Sequence, residues 1–184
     1  MKHTIWLLLI GILFCFAKCG KEKPIDSNNN NIPGLPPATQ TGANTLGFLL
    51  NGVPWVPEGS DGTANLSIDY DPGINNGGVG ITAKRLRGVN DKSSFGIGVI
   101  DSLNLLNAPF KRSLFKTSIF RAGFSKFDSC TVFSHYDSVW SNGSMTIDKF
   151  DRAQRVVSGR FVFTLYQIGC DSIKITNGRF DLKF

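Results

Sequence analysis

Beyond residues 1–18 the chain holds one histidine, His135, in the stretch CTVFSHYDSVW. A serine or cysteine nucleophile activated by imidazole would have to use it. Its place in a strand-like run reads instead as an ordinary surface or core histidine. Ser113 and Lys116, in SLFK, have the Ser-x-x-Lys spacing in which lysine activates serine. That chemistry needs Ser-Asp-Asn and Lys-Thr-Gly partner motifs, and the chain has neither. Zinc needs three or four nearby ligands, and one histidine with two distant cysteines does not offer them. Asp69 and Asp71, with Asn75 and Asn76 in DYDPGINNGG, could present oxygens to calcium. The spacing lacks the closing bidentate acid, so a hairpin connection built on Pro-Gly and Asn-Gly is the plainer reading. The 14 acids could supply a glycosidase pair across a cleft, but nothing singles two of them out. No catalytic residue, metal or cofactor is therefore expected.

Residues suited to binding are easier to find. Tyr136 and Trp140 flank HYDSVW, and Tyr166 falls on the polar face of its run. Aromatic rings at such positions form platforms for sugars and other flat apolar faces, although edge packing against loops would use the same residues. Cys130 and Cys170 are the two cysteines beyond the N-terminal region. In an exported chain they would stand where disulfides persist, so a Cys130–Cys170 bridge is expected, with two separate buried thiols as the alternative.

The N-terminus supplies the reason to think of export. Lys2 and His3 precede Ile5–Ala17, in which every residue is apolar or glycine. Thirteen residues are too few to cross a bilayer core, which takes about 20, and they match the apolar region of a secretory signal. FAKCG at its end resembles a bacterial lipobox, which makes Cys19 the lipid-attachment residue. Lys18 departs from the small residue normal before that cysteine, and ordinary secretion with cleavage after Ala17 or Cys19 is the alternative. Residues 1–18 are thus read as a signal peptide. Residues 19–45 carry four consecutive asparagines and four prolines with almost no large apolar side chains. Such a segment cannot bury enough surface to offset its ordering entropy, and it is read as a lipid-anchored flexible tether.

From Leu46 to Phe184 the period is two. NLSIDY sets Leu66, Ile68 and Tyr70 on one face, and FGIGVI does the same with Phe95, Ile97 and Val99. GRFVFTLY turns Phe161, Phe163 and Leu165 inward and Arg160, Val162, Thr164 and Tyr166 outward. RFDLKF alternates Phe180, Leu182 and Phe184 with Arg179, Asp181 and Lys183. Alternation of this kind marks antiparallel sheets with one solvated side. Asn-Gly pairs at 51–52, 76–77, 142–143 and 177–178 are hairpin-turn signals. The best helical stretch, DSLNLLNAPF at 101–110, is short and would end at Pro109. About nine or ten strands follow, in one all-β domain over 46–184: an antiparallel β-sandwich, with a partly closed barrel as the alternative.

Two stretches, LPPATQTGANTLGFLLNGVPW (35–55) and GSMTIDKFDRAQRVVSGRFVFTLYQIGCDSIKITNGRFDLKF (143–184), together resemble a family of uncharacterised Bacteroidota lipoproteins, a domain of unknown function. The resemblance covers both ends of the domain and implies an all-β exported lipoprotein. It implies no activity and no site residues.

The net charge is +6, and the signal removes Lys2 and Lys18, leaving a mild +4. The basic runs KRLR (84–87) and KRSLFK (111–116) read as solvated strand or loop positions, and no nucleic-acid partner is expected. Function is therefore read as a non-catalytic binding or structural role at the outer membrane or cell surface. The partners expected are the membrane, through the N-terminal lipid, and a glycan, peptide or envelope protein. The alternative is a periplasmic or secreted hydrolase with a dispersed acid or serine site.

Overall fold

The computed structural model describes residues 31–74, 77–101, 105–115, 119–127 and 129–184. Eleven strands carry the fold. They are β1 (Thr45–Leu50), β2 (Val53–Trp55), β3 (Leu66–Asp71), β4 (Gly78–Arg87), β5 (Asp91–Ile100) and β6 (Phe110–Leu114), then β7 (Phe120–Lys126), β8 (Cys130–Phe133), β9 (Val139–Asp151), β10 (Val156–Gln167) and β11 (Ile173–Lys183). They form two antiparallel sheets, ordered β2-β1-β11-β10-β9-β6 and β3-β4-β5-β7-β8, and no closed barrel. The expected sandwich is the architecture. The count exceeds nine or ten because β2 and β8, at three and four residues, are too short to show an alternation.

Alternation correctly assigns the inner faces. Phe95, Ile97, Val99, Phe161, Phe163, Leu165, Phe180 and Leu182 are all buried in one core, and Leu66, Ile68, Tyr70 and Phe184 pack against its margin. Aromatic rings join the sheets at the centre. Phe48 stacks on Trp55 at 4.6 Å and meets Phe95 at 4.7 Å, and Phe95 stacks on Phe161 at 5.2 Å. Trp55 is fully buried and its indole N–H donates to Ser93 Oγ at 2.9 Å, which satisfies the one polar atom that burial would strand. Along β7, Phe120 touches Phe163 of β10 while Phe124 touches Trp55 of β2. In four residues β7 therefore passes over four strands of the facing sheet, so the two sheets cross each other.

Two expectations are corrected. Asn51-Gly52 does make the two-residue β1–β2 turn, with both residues at positive φ. Asn142-Gly143 lies within β9 and Asn177-Gly178 within β11, so neither is a turn. Asn76 lies outside the described residues. At 176–178 β11 carries one residue more than β1 and β10, each of which shows a register shift there. Asn177 takes φ +53° in this bulge. A Cβ on Gly178 would run into the Phe161 ring, and one on Gly143 into the β10 backbone. Here the dipeptide's conformational freedom serves a bulge and a close approach.

The second correction concerns the outer face of β11. Arg179 and Asp181 point away from the core as expected, yet both are buried. Residues 36–43, part of the span read as tether, lie across them. Asp181 accepts hydrogen bonds from Thr39 Oγ1 (2.6 Å), Thr41 N (2.9 Å), Gly42 N (2.7 Å) and Ala43 N (3.2 Å). In the 101–110 stretch the Leu105 amide donates to the Asp101 carbonyl, and β6 starts at Phe110; residues 102–104 lie outside the described set.

Candidate functional site

The twelve-residue strand β10 holds its inner residues in the core, and that fixes where its outer ones point. Its outer residues from Arg160 to Tyr166 stand on the solvent side of the first sheet. On β9 the same face carries Trp140, Asn142 and Ser144. Register makes Trp140 the direct cross-strand partner of Tyr166, side by side on the open face, at 56% and 46% exposure. The adjoining row runs Asn142–Thr164–Lys174 across β9, β10 and β11, and Val162 faces Ser144 in the row beyond. Two broad rings therefore lie beside an amide, a hydroxyl and an ammonium on one open sheet face. Further along the same face Arg160 grips Asp148 with two hydrogen bonds, at 2.9 and 2.8 Å. That contact raises the Arg160 pKa, and it keeps both charges committed to each other.

Tyr136 belongs to a different group. It lies in the connection from β8 to β9, where its amide donates to the Phe133 carbonyl. Its ring meets Phe133 at 5.3 Å and His135 at 4.7 Å, both edge-on. His135 is exposed and lies against the Phe133 and Tyr136 rings. Ser113 lies on β6, and Lys116 lies outside the described residues. Asp71 spends a carboxylate oxygen on the Gly73 amide at 2.6 Å, as an Asx turn does; Asn75 and Asn76 are outside the described residues. Among the described residues no three acids, histidines or cysteines gather as metal ligands would.

Cys130 and Cys170 are bonded to each other, with Cα atoms 5.8 Å apart. Cys130 opens β8 in the second sheet and Cys170 sits in the β10–β11 turn of the first, so the bridge staples one sheet to the other. Cys19 lies outside the described residues, and among the described residues no helix is long and apolar enough to cross a membrane.

Sequence reasoning missed the Asp181 cradle. Burial alone would raise the Asp181 carboxyl, but the bonds from Thr39, Thr41, Gly42 and Ala43 outweigh it and hold it below the usual carboxylate range. The only available signal was an acid between two core residues, far in sequence from TQTGA. Also missed was the ion pair of Arg85 with Asp91 (2.8 Å) beneath an inter-sheet cleft.

No family model, no curated protein and no solved structure matches the chain.

Proposed function

We propose that this chain is an exported lipoprotein of the cell envelope, anchored through lipid on Cys19, whose β-sandwich binds a glycan without cleaving it. The proposal includes membership of the uncharacterised Bacteroidota lipoprotein family that its end stretches resemble, and a place at the outer membrane or cell surface. The observation that supports binding is the Trp140–Tyr166 pair. Two large rings exposed on opposed positions of one sheet face contribute to the fold no more than a cross-strand pair does, and they suit the C–H faces of pyranose rings. Asn142, Thr164 and Lys174 beside them supply donors and acceptors for sugar hydroxyls. A flat face with a neutral aromatic row favours an extended oligosaccharide over a compact charged ligand. Asp148, further along this face, is bound to Arg160.

The test is a microarray of bacterial and host oligosaccharides probed with the parent protein and with Trp140→Ala and Tyr166→Ala. Selective retention by the parent, lost in both variants, supports the reading. Retention unchanged in both variants, or no retention of any saccharide, overturns it.

A further inference from the structure

Four strand connections meet at one end of the sandwich: 51–52 between β1 and β2, 88–90 between β4 and β5, the β7–β8 connection with Phe127 and Ser129 as its described residues, and 168–172 between β10 and β11. They are tied to one another around an opening. Asn51 donates to the Ser172 carbonyl (2.9 Å) and accepts from the Lys174 amide (2.8 Å), joining the first turn to the last. The Cys130–Cys170 bridge joins the last to the third. The Phe127 amide donates to the Lys92 carbonyl at 3.0 Å, joining the third to the second. The opening is a cleft of 480 Å³ between the ends of the two sheets, within the size range of small-ligand sites, roughly 300–1,000 Å³. A cleft whose rim is fixed in this way binds with little ordering cost.

Its chemistry is of two kinds. Buried Phe124 and Ile173 give it apolar walls. Each of the turns, or the residue beside it, also lifts an apolar side chain into solvent around the mouth: Val53 at 64% exposure, Val89 at 81%, Phe127 at 46% and Ile168 at 86%. The charged groups line the opening. Arg85 is committed, since its Nε and Nη2 bond Asp91 at 3.1 and 2.8 Å and its guanidinium lies over the Trp55 ring. Lys126 shares the inward parity of Phe120, Ala122 and Phe124 and stands opposite Ser93, and Lys92 borders the same space. No acid among the described residues pairs with either lysine. Asp171, on the wall formed by the β10–β11 turn, is the one described lining acid outside the Arg85 pair. Among the described lining residues the uncommitted charges are thus net positive, beside apolar walls and an apolar rim.

We infer that this cleft is a second binding site, separate from the aromatic face, and that it takes a small amphipathic anion: a carboxylate or phosphate on an apolar body. The anion sits at Lys126, and the body lies against Phe124, Ile173 and the rim. The anion's source is either a soluble amphiphile or an anionic lipid headgroup.

The test uses the full chain in neutral phosphatidylcholine nanodiscs and reads ligand binding by saturation-transfer NMR. The probes are hexyl phosphate, inorganic phosphate and hexyltrimethylammonium. Hexyl phosphate is expected to saturate a single site, with inorganic phosphate weaker by about tenfold or more and the cation not bound. Lys126→Glu lowers hexyl phosphate affinity at least about tenfold, Lys126→Met follows it in direction, and Ile168→Ser costs severalfold. Lys126 is exposed, so neither change at that position threatens the fold. Tyr166→Ala leaves affinity unchanged, which separates this site from the glycan face. Phosphatidylglycerol is then mixed into the disc. If it displaces hexyl phosphate the natural anion is a membrane headgroup, and if it does not the anion is a soluble amphiphile. Equal binding of the cation, no effect of Lys126→Glu, loss with Tyr166→Ala, or no binding of any probe overturns the assignment.

Discussion

Asp181 shows what a single side chain contributes here. Its carboxylate satisfies backbone amides at Thr41, Gly42 and Ala43 that would otherwise be stranded over the sheet, and it thereby fixes residues 39–43 to β11. Asn in its place offers one acceptor oxygen and turns two donors toward donors. Asp181→Asn should cost on the order of 3 kcal/mol at neutral pH, read as a lower urea midpoint with unchanged slope. The pH dependence follows from the lowered pKa. A carboxyl depressed in the folded state contributes its full stability above the unfolded value, about 3.9, and loses it as pH falls through the folded value. The parent should therefore lose stability below about pH 4, and Asp181→Asn should lose less over that same window. Alternation in RFDLKF correctly reads which side Asp181 faces. It cannot read whether another segment covers that side, because the cover comes from residues some 140 positions earlier. The same parity places Tyr166 outward, and there the face is open.

At the scale of the strand, β11 is the element on which the first sheet depends. It lies between β1 and β10 and carries buried Phe180 and Leu182 at the chain's end. Phe180→Ala should cost about 3–5 kcal/mol, a large part of a total near 5–15 kcal/mol. Deleting 179–184 removes these side chains together with the Asp181 cradle and should unfold the domain. Lys183→Ala, on the exposed side, should stay within about 0.5 kcal/mol. Thermal melts of the three variants test this; a deletion that melts within a few degrees of the parent would contradict it. The bulge has its own signature. Gly178→Val places a branched side chain where the Phe161 ring lies, and it should destabilise by about 1–3 kcal/mol through overpacking. Asn-Gly at 177–178 could be read as a turn because a type I′ hairpin and a bulge both call for positive φ. What distinguishes them is whether strand pairing continues past the dipeptide, and that depends on β1 and β10, which are remote in sequence. The inner faces were legible because each strand states its own parity. The three-residue β2 was not, since it is too short to state a parity and is held by its pairing with β1, the Trp55–Ser93 bond and the stacking of Trp55 on Phe48.

Across the whole molecule, two sheets of six and five strands are joined by an aromatic centre and one covalent staple. The Cys130–Cys170 bridge closes a separation of 40 residues, worth on the order of 3–4 kcal/mol in the chain-entropy account. Cys130→Ser with Cys170→Ser should lower the urea midpoint accordingly, and it should also loosen the turns around the cleft, seen as faster amide exchange at 168–172. The proposed anchor belongs to this scale as well. Cys19→Ala should block processing and move the protein out of the membrane fraction; a variant that stays membrane-bound as before would contradict lipidation at Cys19. The account rests most heavily on non-catalytic recognition at the Trp140–Tyr166 face. Isothermal titration with the oligosaccharide best retained on the array, followed by mass spectrometry of the recovered sugar, tests it most directly. Saturable binding weakened about tenfold or more by Trp140→Ala, with the sugar recovered intact, is the result expected. Binding indifferent to Trp140→Ala, or a sugar recovered cleaved, would contradict it.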